Sequence, residues 1–250
     1  MFKQKATSDI SSKHCRVKLI QAHNLKRRHI SNCKKGLLST MLVRKLVCDF
    51  IGTFFLVMTI GCCVTGQVNA GAMAPVAIGS ALMVMVYAGG HLSGAHYNPA
   101  VTLALAIRGR HSKAEVVPYW VAQVIGAAAA AAIVKTLTGG GSASAPASIA
   151  NAGIVEFLYT FALAYVVLNV ATAKGTAGNS FYGLAIGFTV LAGAFSVGSI
   201  SGGAFNPAVA IGAGLFGAIH LPSIWLHIVA DLAGGAAAGA VFKFLNPDDK

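Results

Sequence analysis

Acid is what this chain has least of: seven Asp and Glu stand against 19 Lys and Arg in 250 residues, and charged residues of both signs make up only 10%. That scarcity, beside 56% hydrophobic residues and a mean hydropathy of +0.69, excludes an ordinary water-soluble domain. Five cysteines, Cys15, Cys33, Cys48, Cys62 and Cys63, show neither metal-ligand spacing nor the even framework of a disulfide-stapled domain. Adjacent Cys62 and Cys63 read as small packing residues. No metal and no cofactor is called for. No apolar h-region of signal-peptide type opens the chain, which argues against a cleaved secretory leader.

The net charge of +12 would suit a nucleic-acid partner, but its distribution excludes one. Of the 19 basic residues, 12 lie before residue 46, and most others fall in alternate loops: Arg108, Arg110 and Lys113, then Lys174, then Lys243 and Lys250. Lys135 alone stands on the other side. This is a positive-inside pattern, so the chain reads as a multi-pass membrane protein with both termini in the cytoplasm and the lipid bilayer as its solvent. Apolar runs of near-spanning length predict helices at about 46–66, 72–90, 114–136, 150–172, 180–199 and 222–245. Residues 1–40 are polar and basic, with Asp9 as their one acid, and are expected to be a disordered cytoplasmic tail. An organellar transit peptide and an electrostatic tether to lipid are the alternatives there. Met41 immediately precedes the first span, so an over-long start is another reading. Residues 41–250 form the membrane domain.

Within it, Asn-Pro-Ala occurs twice, as Asn98-Pro99-Ala100 and Asn206-Pro207-Ala208, each after a Ser-Gly stretch and before Val. Asn is a strong N-cap and Pro suits the first helical position, where its missing N–H costs nothing, so each copy starts a helix. The first, about Pro99 to Arg108, would extend only ~15 Å, half the ~30 Å hydrocarbon thickness. Other segments recur too: Asp49-Phe-Ile-Gly-Thr-Phe lies 49 residues before Asn98 and Glu156-Phe-Leu-Tyr-Thr-Phe lies 50 before Asn206, while Gln123-Val-Ile-Gly returns 108 residues on as Asp231-Leu-Ala-Gly. The domain is thus a duplication, repeat one about 43–137 and repeat two about 149–245. Three spans per copy force the second copy to insert upside down, so the half-helices enter from opposite faces and meet near the midplane. The expected fold class is all-α: six transmembrane helices and two re-entrant half-helices in an inverted repeat.

These residues resemble the major intrinsic protein family, the aquaporins and aquaglyceroporins, over about 43–245. His91-Leu-Ser-Gly-Ala-His-Tyr-Asn-Pro-Ala-Val-Thr is similar to the family's first signature loop and Ser201-Gly-Gly-Ala-Phe-Asn-Pro-Ala-Val to its second. The resemblance implies a narrow pore in each protomer of a homotetramer, passing water and small neutral solutes and excluding protons and ions. Physics supports such a device. Carbonyls of the Gly-rich stretches, at Gly94, Ala95, His96, Gly202 and Ala204, can face a wet lumen at membrane depth. The two Asn amides can donate into it, and two helix N-termini, each worth roughly +0.5 charge, oppose cations.

By resemblance, a four-residue constriction falls at Ile78, Ala194, Gly203 and Val209. The family's usual Arg is replaced by Val209, so the filter should be wider and more apolar than in a strict water channel. Val there is similar to some plant vacuolar (tonoplast) members, which pass urea as well as water. Ammonia and urea are the expected co-solutes, and glycerol stays open because the Asp common in glycerol facilitators is replaced by Ala210. A tight pore would return if His220 or the Tyr97 ring filled the space, leaving a strict water channel.

Carboxylates inside spans demand partners. Asp49 and Glu156, at matching repeat positions, are expected to accept loop N–H groups before each half-helix. Asp231 lies one turn after His227 on the same helix face, which allows either a proton-sensitive gate formed by the pair or a satisfied carboxylate bonded to Gln123. A non-conducting structural membrane protein would keep this fold with an occluded pore. An intramembrane enzyme would have to use Ser93 with His91 or His96, in a loop better explained by backbone exposure, and no charged relay supports an ion-coupled carrier.

Overall fold

The computed structural model describes residues 38–66 and 69–249. The chain divides into a unit of residues 1–43, of which 38–43 are described as the start of a helix, and a unit of residues 44–250 that carries the half-helices and the cavities. The expectations for residues 1–37 lie outside the described residues.

Apolar composition and good helix formers give six long helices among the described residues: α1 (Leu38–Val64), α2 (Ala74–Ser93), α4 (Val116–Thr138), α5 (Ile149–Thr172), α6 (Tyr182–Ser201) and α8 (Ile224–Leu245). Each holds a window of mean hydropathy between 1.6 and 2.1, and none is shorter than 20 residues, about 30 Å at 1.5 Å per residue. Two helices of ten residues interrupt the series, α3 (Pro99–Arg108) and α7 (Pro207–Phe216). The first span begins at Leu38 rather than near 46, inside the expected tail. Arg44 and Lys45 ended the apolar run by composition, yet both are good helix formers whose long side chains reach polar surroundings from an interfacial turn.

Large apolar side chains such as Val84, Val121, Ile154, Phe188 and Val229 are exposed on the outer helix faces, as lipid-facing residues would be. Inside, the repeats interlock: α3 packs on α8 and α7 on α4, so each half-helix is held by the last span of the other repeat. Small residues permit this closeness. A Cβ on Gly126 would lie 2.6 Å from the Phe50 carbonyl oxygen, and one on Gly234 2.5 Å from that of Phe157, matching positions in the two repeats. Trp120 donates its indole N–H to the Pro99 carbonyl at 3.0 Å, whereas Trp225 is exposed.

Candidate functional site: the cavity between the half-helices

Asn98 and Asn206 sit in extended backbone conformation and cap α3 and α7. Asn98 Oδ1 accepts the Ala100 N–H at 2.8 Å, and Asn206 Oδ1 accepts those of Ala208 at 2.9 Å and Val209 at 3.4 Å. With Pro99 and Pro207 at the first helical positions, few N-terminal donors are left over. The remaining amide groups reach across: Asn98 Nδ2 donates to the Phe205 carbonyl at 2.9 Å and Asn206 Nδ2 to the Tyr97 carbonyl at 2.8 Å. The two tips are therefore bolted together by reciprocal bonds, each using one of two amide hydrogens and leaving the other for a guest.

The loops entering the half-helices adopt matching left-handed conformations, Gly94, Ala95 and Tyr97 in one and Gly202, Gly203 and Phe205 in the other. Left-handed Ala95, Tyr97 and Phe205 each cost roughly 1–2 kcal/mol, which the surroundings must offset. Side chains do so. Ser93 Oγ and Ser201 Oγ accept the Ala95 and Gly203 N–H groups, both at 3.1 Å. Glu156 takes the Ala204 N–H on Oε1 at 3.0 Å, the Phe205 N–H on Oε2 at 2.7 Å and the Ser201 hydroxyl at 2.6 Å. Asp49, one methylene shorter, takes the Tyr97 N–H at 2.9 Å and Gln123 Nε2 at 2.8 Å on Oδ1, and its Oδ2 has no partner among the described residues.

Asp231 is fully buried and accepts the Thr160 hydroxyl at 2.9 Å. Gln123 bonds to Asp49 and Thr102 instead of to Asp231. His227 Nε2 donates to the Ser201 carbonyl at 2.9 Å and lies 3.8 Å from Glu156 Oε1. His227 and Asp231 share a helix face, yet among the described residues no hydrogen bond joins them.

A cavity of about 490 Å³ runs past the joined tips. Asn98 and Asn206 line it, as do Ala95, His96, Gly202 and Ala204 from the irregular loops, and Ile78, Ala194, Gly203 and Val209 all border it as well. Gly94 lines a second cavity of about 730 Å³, which His96 also borders. The Tyr97 ring packs where Gly52 and Gly89 leave room and its hydroxyl donates to the Met85 carbonyl at 2.9 Å. His220 pairs with Ser223 Oγ at 2.9 Å and borders a third cavity. His220 thus borders a different cavity from Val209, whereas Tyr97 borders the same one with its hydroxyl spent on Met85.

Several residues here escaped sequence reasoning. His111 meets His96 and Tyr119 edge-to-face, ring centroids 4.7 and 4.6 Å away, at the second cavity. Burial pushes the His111 imidazole below the ordinary histidine value, against an opposing pull from Glu115. Thr160 and Ser142 also belong to the site's surroundings. Thr160 stands in the repeated segment Glu156-Phe-Leu-Tyr-Thr-Phe, matching Thr53, but the repeat does not say which carboxylate it meets; His111 and Ser142 stand in no recurring or capping motif, so no local signal marked them.

Residues 37–242 match the family described as Major intrinsic protein. Curated relatives include aquaporin NIP1-4 of Oryza sativa subsp. japonica, 37% identical with 83% of this chain and 79% of that protein covered, and nodulin-26 of Glycine max, 33% identical with 86% and 82% covered. Among solved structures, the aquaglyceroporin from Plasmodium falciparum superposes with a TM-score of 0.71 at 21% identity, covering 82% of this chain and 98% of its own, a likeness of fold.

Proposed function

The chain belongs to the major intrinsic protein family and is a multi-pass transmembrane channel, not an enzyme, and we propose that it passes water together with small neutral solutes, ammonia, urea and glycerol, while excluding protons and ions. One observation carries this reading: a continuous cavity of about 490 Å³ touches both Asn side chains and the apolar quartet Ile78, Ala194, Gly203 and Val209. A solute leaving water needs replacement hydrogen bonds on an otherwise apolar wall. The free amide hydrogens of Asn98 and Asn206 donate to its oxygen at the centre, and the carbonyls of Gly94, Ala95, His96, Gly202 and Ala204 accept its hydrogens on either side. Two helix N-termini facing one another set a positive potential that repels cations and hydronium, and a central water held by two donors cannot relay a proton.

Asp49 and Glu156 act as loop supports in this scheme. The Thr160 bond of Asp231 and the Ser201 contact of His227 favour structural roles for both over a gate. Protomers conduct singly within a homotetramer, with both termini in the cytoplasm. A strict water channel is the second reading, and the engagement of the Tyr97 hydroxyl with Met85 and of His220 with Ser223 speaks against it. Stopped-flow light scattering on proteoliposomes, comparing water, ammonia, urea and glycerol, decides between them. Faster urea entry than in empty vesicles is expected, whereas swelling with water alone would restore the strict channel. No flux of any kind would leave a non-conducting structural protein.

A further inference from the structure

The quartet Ile78, Ala194, Gly203 and Val209 carries no polar side chain, so that neck offers a permeating molecule little to bond. Among the described residues, six polar ones line the cavity as a whole: Thr65, His96, Tyr97, Asn98, Ser142 and Asn206. The two Asn stand at the joined tips, His96 borders the second cavity, and the Tyr97 hydroxyl is spent on Met85. Thr65 Oγ1 donates to the Gly61 carbonyl at 2.7 Å and pairs with Thr138 Oγ1 at 2.9 Å. Ser142 is different. Exposed to the cavity, its hydroxyl has no hydrogen-bond partner among the described residues.

Its position is also rigidly set. Ser142 lies between α4 and α5, and the residues flanking it bond to the end of α7: the Gly141 N–H to the Phe216 carbonyl at 2.8 Å and the Ala143 N–H to the Gly217 carbonyl at 3.0 Å. This contact is as close as backbone allows, since a Cβ on left-handed Gly217 would lie 2.0 Å from the Gly141 carbonyl oxygen. The segment is thus clamped to the C-terminal end of the half-helix that carries Val209, about 10 Å further along it, and Ser142 is held at the cavity wall rather than on a free loop tip.

We infer that Ser142 is a specificity-determining residue of this channel, its hydroxyl supplying the hydrogen-bonding group that the apolar quartet lacks and thereby favouring urea and glycerol over water. This rests on the channel reading proposed above. A water molecule crosses a wide neck with its own neighbours for company. Urea or glycerol fills more of the neck, sheds more hydration, and gains more from one fixed hydroxyl that both donates and accepts. One hydrogen bond of ordinary net strength corresponds to a rate change of about threefold to tenfold.

The test measures urea and water permeability in the same proteoliposomes for wild type, Ser142→Ala and Ser142→Thr, each checked for monodisperse elution. The urea-to-water ratio is expected to fall about threefold to tenfold in Ser142→Ala and to return in Ser142→Thr, which keeps a hydroxyl. An unchanged ratio in Ser142→Ala overturns the inference, whether or not both fluxes drop together. Wild-type vesicles that pass neither solute overturn the channel reading instead, so the two failures are distinguishable.

Discussion

Gly235 on α8 faces the first half-helix with no room for a side chain: a Cβ there would stand 2.4 Å from the Ala100 carbonyl oxygen and 2.9 Å from its carbonyl carbon. Gly235→Ala therefore sets backbone against atom, with no flexible side chain to yield. Restoring an ordinary contact of about 3.4 Å requires α3 and α8 to part by about 1 Å. Ala100 is the second residue of α3, so that displacement falls on the tip itself. The Asn98 Nδ2 bond to the Phe205 carbonyl, now 2.9 Å, would lengthen to about 3.9 Å, beyond hydrogen-bond range. Overpacking of this kind costs roughly 1–3 kcal/mol. Thermal aggregation of detergent-purified protein and osmotic shrinkage of proteoliposomes read the two consequences, a lower midpoint and a reduced water permeability. Gly175→Ala, where nothing lies within 4 Å of the added carbon, serves as the neutral comparison. A Gly235→Ala protein as stable and as permeable as the wild type would refute the reasoning.

Val209→Arg should narrow and charge the neck, so urea permeability falls at least tenfold while water still passes; equal urea entry in paired stopped-flow traces would remove Val209 as the selector. Glu156→Ala strips two loop amides and the Ser201 hydroxyl of their acceptor, costing roughly 3–5 kcal/mol, which a thermal shift in detergent should register. Asp249 is held below the ordinary carboxylate range by the Lys174 backbone N–H and by Arg108, whose guanidinium donates to it at 2.7 Å. Its contribution is therefore complete above the ordinary carboxylate value and is lost as pH falls through the lowered one. Hydrogen exchange across 173–181 should accelerate in acid, and Asp249→Asn should show that faster exchange already at neutral pH. His111 favours its neutral form, so folded-state stability should hold above the ordinary histidine value and decline as pH drops below it; melting curves from pH 8 to 5 should flatten in His111→Phe.

Much of this architecture could be read from local signals. Asn followed by Pro is a capping instruction that works on its nearest neighbours, which is why α3 and α7 start at Pro99 and Pro207 as expected. Spans follow from apolar length, so five of the six expected ranges agree with the helices to within about three residues, and α1 differs where basic residues continue the helix toward its start. Partner choice was another matter. Gln123 was expected beside Asp231, and the packing of α4 gives it to Asp49 instead. The reciprocal bonds from Asn98 and Asn206 to the opposite loop, the Arg108–Asp249 contact at 2.7 Å and the bonds that fasten Ser142's neighbours all join residues more than 70 positions apart. No periodicity encodes such pairings, because they depend on how the repeats interlock.

The central claim is a solute path that passes the joined tips and the neck beside them. A plug tests it most directly: Ala194→Trp places an indole from α6 into the cavity wall, and Ala192→Trp places the same ring at an exposed position of the same helix. Stopped-flow scattering should show wild type and Ala192→Trp shrinking faster than empty vesicles, and Ala194→Trp matching empty vesicles for both water and urea. Undiminished flux through Ala194→Trp, or wild type no faster than bare lipid, would contradict the account.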